Sequence, residues 1–96
     1  MKTEDLIAER GKTHGNYEEH ARATQRIKHV MQNFLIIRPA SDNPIAPYYY
    51  LTESQRESLD MIAHKIGRIL AGDPDFRDHW DDIAGYAKLV AERCTK

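Results

Sequence analysis

Sulfur, net charge and long apolar runs are scarce in this 96-residue chain, and each shortage removes a class of protein from consideration. The single cysteine, Cys94, has no intramolecular partner, so no disulfide framework holds the fold and a reducing compartment suits it. No stretch approaches the roughly 18 apolar residues of a membrane span, and the opening MKTEDLIAERGK lacks the apolar centre of an export signal. A soluble cytoplasmic protein is expected. The 14 basic and 15 acidic residues nearly cancel, which leaves no field to draw nucleic acid or an anionic membrane. Paired cysteines, a His-x-x-x-His spacing and a glycine-rich phosphate loop are missing too, so zinc and P-loop chemistry have no support. Three of the four prolines, Pro39, Pro44 and Pro47, crowd into one stretch, and Pro74 stands alone between two helical segments.

What is present is helical periodicity. Thr3 can cap a short first helix, with Glu4 and Asp5 favourable in its first turn and Gly11 at its end. A loop over 11–16 leads to a second helix from Tyr17 to Phe34, whose stripe is His20, Ala23, Ile27, Val30 or Met31, and Phe34. The proline-rich residues 38–51 form an irregular crossover, in which Tyr48, Tyr49 and Tyr50 either pack the loop onto the helices or line a ligand. Thr52 and Gln55 make a capping box that opens the third helix, and Gly72 closes it. Leu59, Ile62, Ile66, Ile69 and Leu70 form its apolar stripe, with Glu57, Asp60, His64, Lys65 and Arg68 on the other side. Asp73-Pro74-Asp75 restarts the chain into a fourth helix with Phe76, Trp80, Ile83, Ala87 and Val90 as its core stripe. No strand is expected. The reading is an all-α, four-helix bundle-like single domain over residues 1–96, a short N-terminal helix plus three longer ones, with helices three and four antiparallel. A chain this short buries only about 60–65% of its unfolded surface, so a homodimer is the expected remedy.

The chemistry-bearing residues gather on the last two helices. Glu57 and Asp60 stand three apart on one; Asp78 and Asp81 repeat that spacing on the next, with Asp82 beside them. Two acid pairs on adjacent helices supply an oxygen-only ligand set suited to Mg²⁺, Mn²⁺ or Ca²⁺. The competing reading is a set of ordinary solvated faces. Lys65 and Arg68 share the side of Asp60 and His64, where they either hold phosphates or form a salt-bridge ladder. The loop Lys12-Thr-His-Gly-Asn-Tyr17 has Lys12 and His14 as donors and a helix start behind it, which suits an anion. A plain turn with Asn16 as cap and Tyr17 in the core is the alternative.

Three segments carry a family resemblance: Arg-Gly-Lys-x-His-Gly-x-Tyr over 10–17, Leu59 to Leu70, and Asp78-His79-Trp80-Asp81-Asp82-Ile83-Ala84-Gly85-Tyr86. Together they resemble a family of small phage and prophage proteins, which is similar in turn to MazG-like all-α nucleoside triphosphate pyrophosphohydrolases and to phage nucleotide-modification-associated domains. The resemblance implies that Glu57 and Asp60, then Asp78 and Asp81, or Asp82 in place of Asp81, hold Mg²⁺ against a triphosphate, with one of these acids as base on water. It further implies substrate contacts from Lys12, His14, His64, Lys65, Arg68 and Tyr86, and cleavage between the α and β phosphates. Asp60 and Asp78 stand where the superfamily pattern has Glu, which retracts each carboxylate by one methylene. The alternative function is a non-enzymatic phage accessory module that binds a nucleotide or a host protein, in the cytoplasm of the bacterial host.

Overall fold

The computed structural model describes residues 2–37 and 43–96, which form four α-helices and no strand longer than two residues. The helices are α1 (Thr3–His14), α2 (Tyr17–Asn33), α3 (Glu53–Ala71) and α4 (Arg77–Ala91). Helix α3 is the middle of the arrangement and packs against α2 on one flank and α4 on the other, while α2 and α4 barely meet. The all-α, bundle-like architecture read from the sequence is the one observed. No helix among the described residues is long and apolar enough to cross a membrane.

Local sequence rules explain most boundaries. Thr52 accepts from the Gln55 amide at 3.2 Å while the Gln55 side chain accepts from the Thr52 amide at 2.9 Å, the reciprocal capping box expected at the start of α3. Asn16 caps α2 by accepting from the Glu18 and Glu19 amides. Helix α1 does not stop at Gly11 but runs on to His14, because an isolated glycine weakens a helix without breaking it. Its N-cap is Lys2, and Thr3 is already helical. Helix α4 begins at Arg77, after Pro74 and Asp75, with Phe76 at the N-cap.

Three packing expectations need correction. A short antiparallel ladder, β1 (Ile36–Ile37) against β2 (Pro44–Ile45), closes the crossover where no strand was expected. Residues 38–42, part of that crossover, lie outside the described residues. A single turn of 3-10 helix over Pro47–Tyr50 follows it. Trp80, placed in the core by its helical spacing, is 53% exposed, and Ala87 is exposed as well. The residue of α4 that is fully buried is His79, one position earlier; Phe76, Ile83 and Val90 stay partly buried, so the inward stripe runs through His79 and Tyr86 in place of Trp80 and Ala87. Leu59, Leu70 and Tyr17 are likewise exposed. Tyr48 and Ala63 are the only hydrophobic residues buried among those described.

Polar contacts and glycines do the joining instead. Gly15, at φ 80 and ψ −178, occupies a conformation essentially restricted to glycine, and a side chain there would run into the Ala71 carbonyl. A side chain at Gly72 would collide in turn with the Thr13 carbonyl and the His14 backbone. The α1–α2 turn and the α3–α4 turn therefore interlock, backbone on backbone. The Asp73 amide donates to the Thr13 carbonyl at 3.0 Å, and His79 Nε2 meets the same carbonyl at 3.0 Å. A carbonyl only accepts, so Nε2 carries the proton of that buried ring.

A candidate anion-binding cleft

The interlocked turns form one end of an open cleft of about 990 Å³ between α1, the start of α2 and the last turns of α3. Arg10 and His14 line it from α1, Tyr17 and His20 from α2, and His64 and Arg68 from α3. Helix packing sets these positions. At Gly67 the two helices approach so closely that a side chain would strike Thr24 and His20, which brings the His20 ring against α3. His20 Nε2 then donates to the His64 carbonyl at 3.2 Å, and the two imidazoles meet edge to face at 4.5 Å. On the far side of Gly15, the His14 ring abuts His79 at 4.8 Å.

Electrostatics divides these groups in two. Burial, reinforced by the Arg68 charge, lowers the pKa of His14 to about 4 and that of His64 to about 4. Burial and Arg68 also lower that of His20. The rings are thus neutral at physiological pH, and the fixed positive charge of the cleft resides on Arg10 and Arg68. Burial and the neighbouring Arg10 charge disfavour the cationic form of Arg68 as well, although a guanidinium keeps its proton. Neither arginine makes an ion pair with a carboxylate among the described residues, and Arg68 Nε is buried without a hydrogen-bond partner. A partly buried Arg68, eased only by the field of Asp82, and an exposed Arg10 beside it, neither of them ion-paired among the described residues, make a favourable place for an anion with oxygens for both forks. The Glu18 carboxylate at the rim limits the charge such an anion can carry.

Of the residues read from the sequence as substrate contacts, the fold gathers His14, His64 and Arg68 in this cleft. It does not bring Lys12, Lys65 or Tyr86 there. Lys12 pairs with Glu9 on the exposed side of α1. Lys65 is buried between α3 and α4 and pairs with Asp82 at 3.0 Å. Tyr86 faces Glu57 and Arg93 across a separate cavity of about 420 Å³. The amides of the α2 start, offered by the sequence as an anion cradle, are already taken by Asn16, so the plain-turn reading holds for them. Arg10, Tyr17 and His20 were missed as cleft residues. Arg10 and Tyr17 flank the His-Gly element in the sequence, which was the available signal.

The five acids do not share a centre within the protomer. Both oxygens of Asp60 lie 2.9 Å from the Tyr48 hydroxyl, which donates to them, and Lys28 stands 4.0 Å away. Burial and the adjacent Asp60 raise the pKa of that phenol, so it remains a donor. Asp81 pairs with Arg77 along α4, Asp82 with Lys65, and Asp78 is exposed in the first turn of α4. Glu57 belongs to the Tyr86 cavity. No group of three or more His, Cys, Asp or Glu side chains among the described residues is placed to hold a metal ion. Compared with family models, curated proteins and solved structures, the chain finds no match.

Proposed function

We propose that this protein binds a nucleotide, or a closely similar phosphorylated small molecule, in the cleft between α1, α2 and α3, and that it does so as a homodimer. The observation that carries the reading is the Arg10 and Arg68 pair, neither ion-paired to a carboxylate among the described residues, beside the Tyr17, His20 and His64 rings. Phosphate oxygens satisfy the guanidiniums and the orphaned Arg68 Nε, while the rings offer a stacking surface for a base. The resemblance to phage nucleotide proteins supports the same ligand class, and a free thiol fits the cytoplasm of a bacterial host.

Binding without hydrolysis is the reading the geometry favours. The Mg²⁺-dependent pyrophosphohydrolase reading asks Glu57, Asp60, Asp78 and Asp82 to converge, whereas Asp60 answers to Tyr48 and Asp82 to Lys65. Calorimetric titration with ATP and with inorganic triphosphate, each with and without Mg²⁺, tests the site. Arg68→Gln is expected to weaken both ligands about tenfold or more, because a charge-assisted bidentate contact is lost. Tyr17→Ala is expected to weaken ATP and spare triphosphate. Wild-type protein that binds neither at millimolar concentration overturns the proposal, and pyrophosphate release from ATP restores the enzyme reading.

A further inference from the structure

The three long helices form a layer with two unlike faces. Helix α1 and the cleft occupy one face; on it lie Arg68 of α3 and Asp82 of α4, the latter reaching Lys65. On the opposite face, helical spacing brings a different set of side chains into register. Val30 and Phe34 of α2 stand there at 68% and 59% exposure. On α3, Ile66 and Leu70 point about 160° away from Arg68, and Leu70 is 69% exposed. On α4, Trp80 and the small Ala84 and Ala87 stand on the side away from Asp82, about 160° from it in the case of Trp80. The result is an apolar surface across three helices that nothing among the described residues covers.

The chain as a whole also exposes more than a compact monomer of its size. The protomer exposes 7444 Å², roughly 1,800 Å² more than the ~5,650 Å² typical of a folded chain of 11.1 kDa. Its radius of gyration is 16.6 Å, against about 12.5 Å for a compact domain of this length. Hiding the excess on two copies buries roughly 3,600 Å² in total, which falls in the range of obligate homodimers. We propose that a second copy of this chain covers the face built on Val30, Phe34, Ile66, Leu70 and Trp80, layer on layer about a two-fold axis. The assignment rests on the dimeric reading above and adds which face is used. It leaves both clefts on the outside of the dimer, open and independent of each other.

Trp80 is the only tryptophan and lies on the face, so the wild-type protein reports on its own interface. Sedimentation velocity is expected to show a dimer at micromolar concentration, with blue-shifted Trp80 emission protected from acrylamide. Dilution should release both signals together. Leu70→Glu and Val30→Glu are each expected to weaken self-association by about 100-fold or more. Leu89→Glu, on the opposite side of α4 and 49% exposed, is expected to leave the dimer intact. A wild-type protein that is monomeric at high micromolar concentration overturns the dimer and the face with it. A dimer in which Trp80 stays open to acrylamide, or which survives both glutamates, keeps the dimeric reading and overturns this face. Should the glutamate variants fail to fold by circular dichroism, the Trp80 measurement on wild-type protein decides alone.

Discussion

The two faces of the helical layer are built from opposite materials. On the cleft side, contacts are polar and close: His79 on the Thr13 carbonyl, His20 on the His64 carbonyl, Gly15 against Gly72, Gly67 against Thr24. The other side carries Val30, Phe34, Leu70 and Trp80 and leaves them open, although Ile7, Tyr17 and Leu89 are exposed on the cleft side as well. Directional bonds and glycine contacts fix how the helices sit, because each works in one geometry only. Apolar area is non-directional and scales with what is removed from water. In this chain much of it stays in contact with water, so the residues that fix how the helices sit are largely distinct from those that would drive the proposed association.

The largest effect that tests this division comes from two neighbours on α4. His79→Ala removes a fully buried ring and leaves the Thr13 carbonyl with one donor fewer, which should cost about 3 kcal/mol. Trp80→Ala removes a half-exposed indole whose hydrogen bond runs to the Pro74 carbonyl, and should cost about 1 kcal/mol or less in the dissociated protomer. Denaturant midpoints at high dilution, where association is absent, compare the two directly. A reversed order would break the comparison. At high protein concentration the Trp80→Ala cost is expected to rise, since the indole then belongs to an interface.

Helical spacing made the elements of this fold readable, and side-chain choice hid which stripe faces inward. The capping box at Thr52 and Gln55, the Asn16 cap and the stop at Gly72 were legible because each depends on residues within one turn of chain. The inward face of α4 was not. Hydrophobicity favours Trp80 and Ala87, yet the neighbour of α4 presents a carbonyl, which only a donor such as His79 can satisfy. The same cause separated the expected site from the one observed. His14, His64 and Arg68 were singled out by charge and meet in the cleft, while Arg10 and Tyr17 join them only because Gly15 bends α1 back on α2. Asp60 and Asp82 carried the spacing of a metal site, but Tyr48 arrives from a loop and Lys65 from inside the interface, and neither contact has a signature in helical period.

A smaller effect is expected where a sequence argument and the structure differ in sign. Clustered acids repel, so neutralising Asp82 would stabilise a chain in which they shared one site. Here Asp82 is the counter-ion of Lys65, whose side chain is 11% exposed while that of Asp82 is 46% exposed. Removing one partner of such a pair strands the buried charge. Asp82→Asn should therefore destabilise, by about 1–2 kcal/mol once the exposure of the carboxylate is allowed for. Asp78→Asn, on the exposed first turn, serves as the control and should change little beyond its helix-end charge. A stabilised Asp82→Asn protein would show that the acids do repel one another and would return weight to a shared cation site.

The last effect is a slope in pH, and it ties the imidazole side of the comparison to the ligand. His14 and His64 have pKa values lowered from 6.5 to about 4 in the folded chain, by burial first and the Arg68 charge second. Between those two pH values the unfolded chain binds more protons than the folded one, so stability rises with pH across that window. The contribution is complete above 6.5 and is lost as pH falls toward 4. Melting temperatures taken from pH 7.5 down to 5 should decline, and the decline should shrink when His14 and His64 are replaced by glutamine. A phosphate bound between Arg10 and Arg68 opposes the cause, because its negative charge cancels the arginine field that keeps the rings neutral. Adding inorganic triphosphate should then flatten the slope, and by linkage the ligand should bind more tightly as pH is lowered. A slope that persists in the glutamine variants would assign it to other groups, and a slope indifferent to triphosphate would separate the histidines from the anion site.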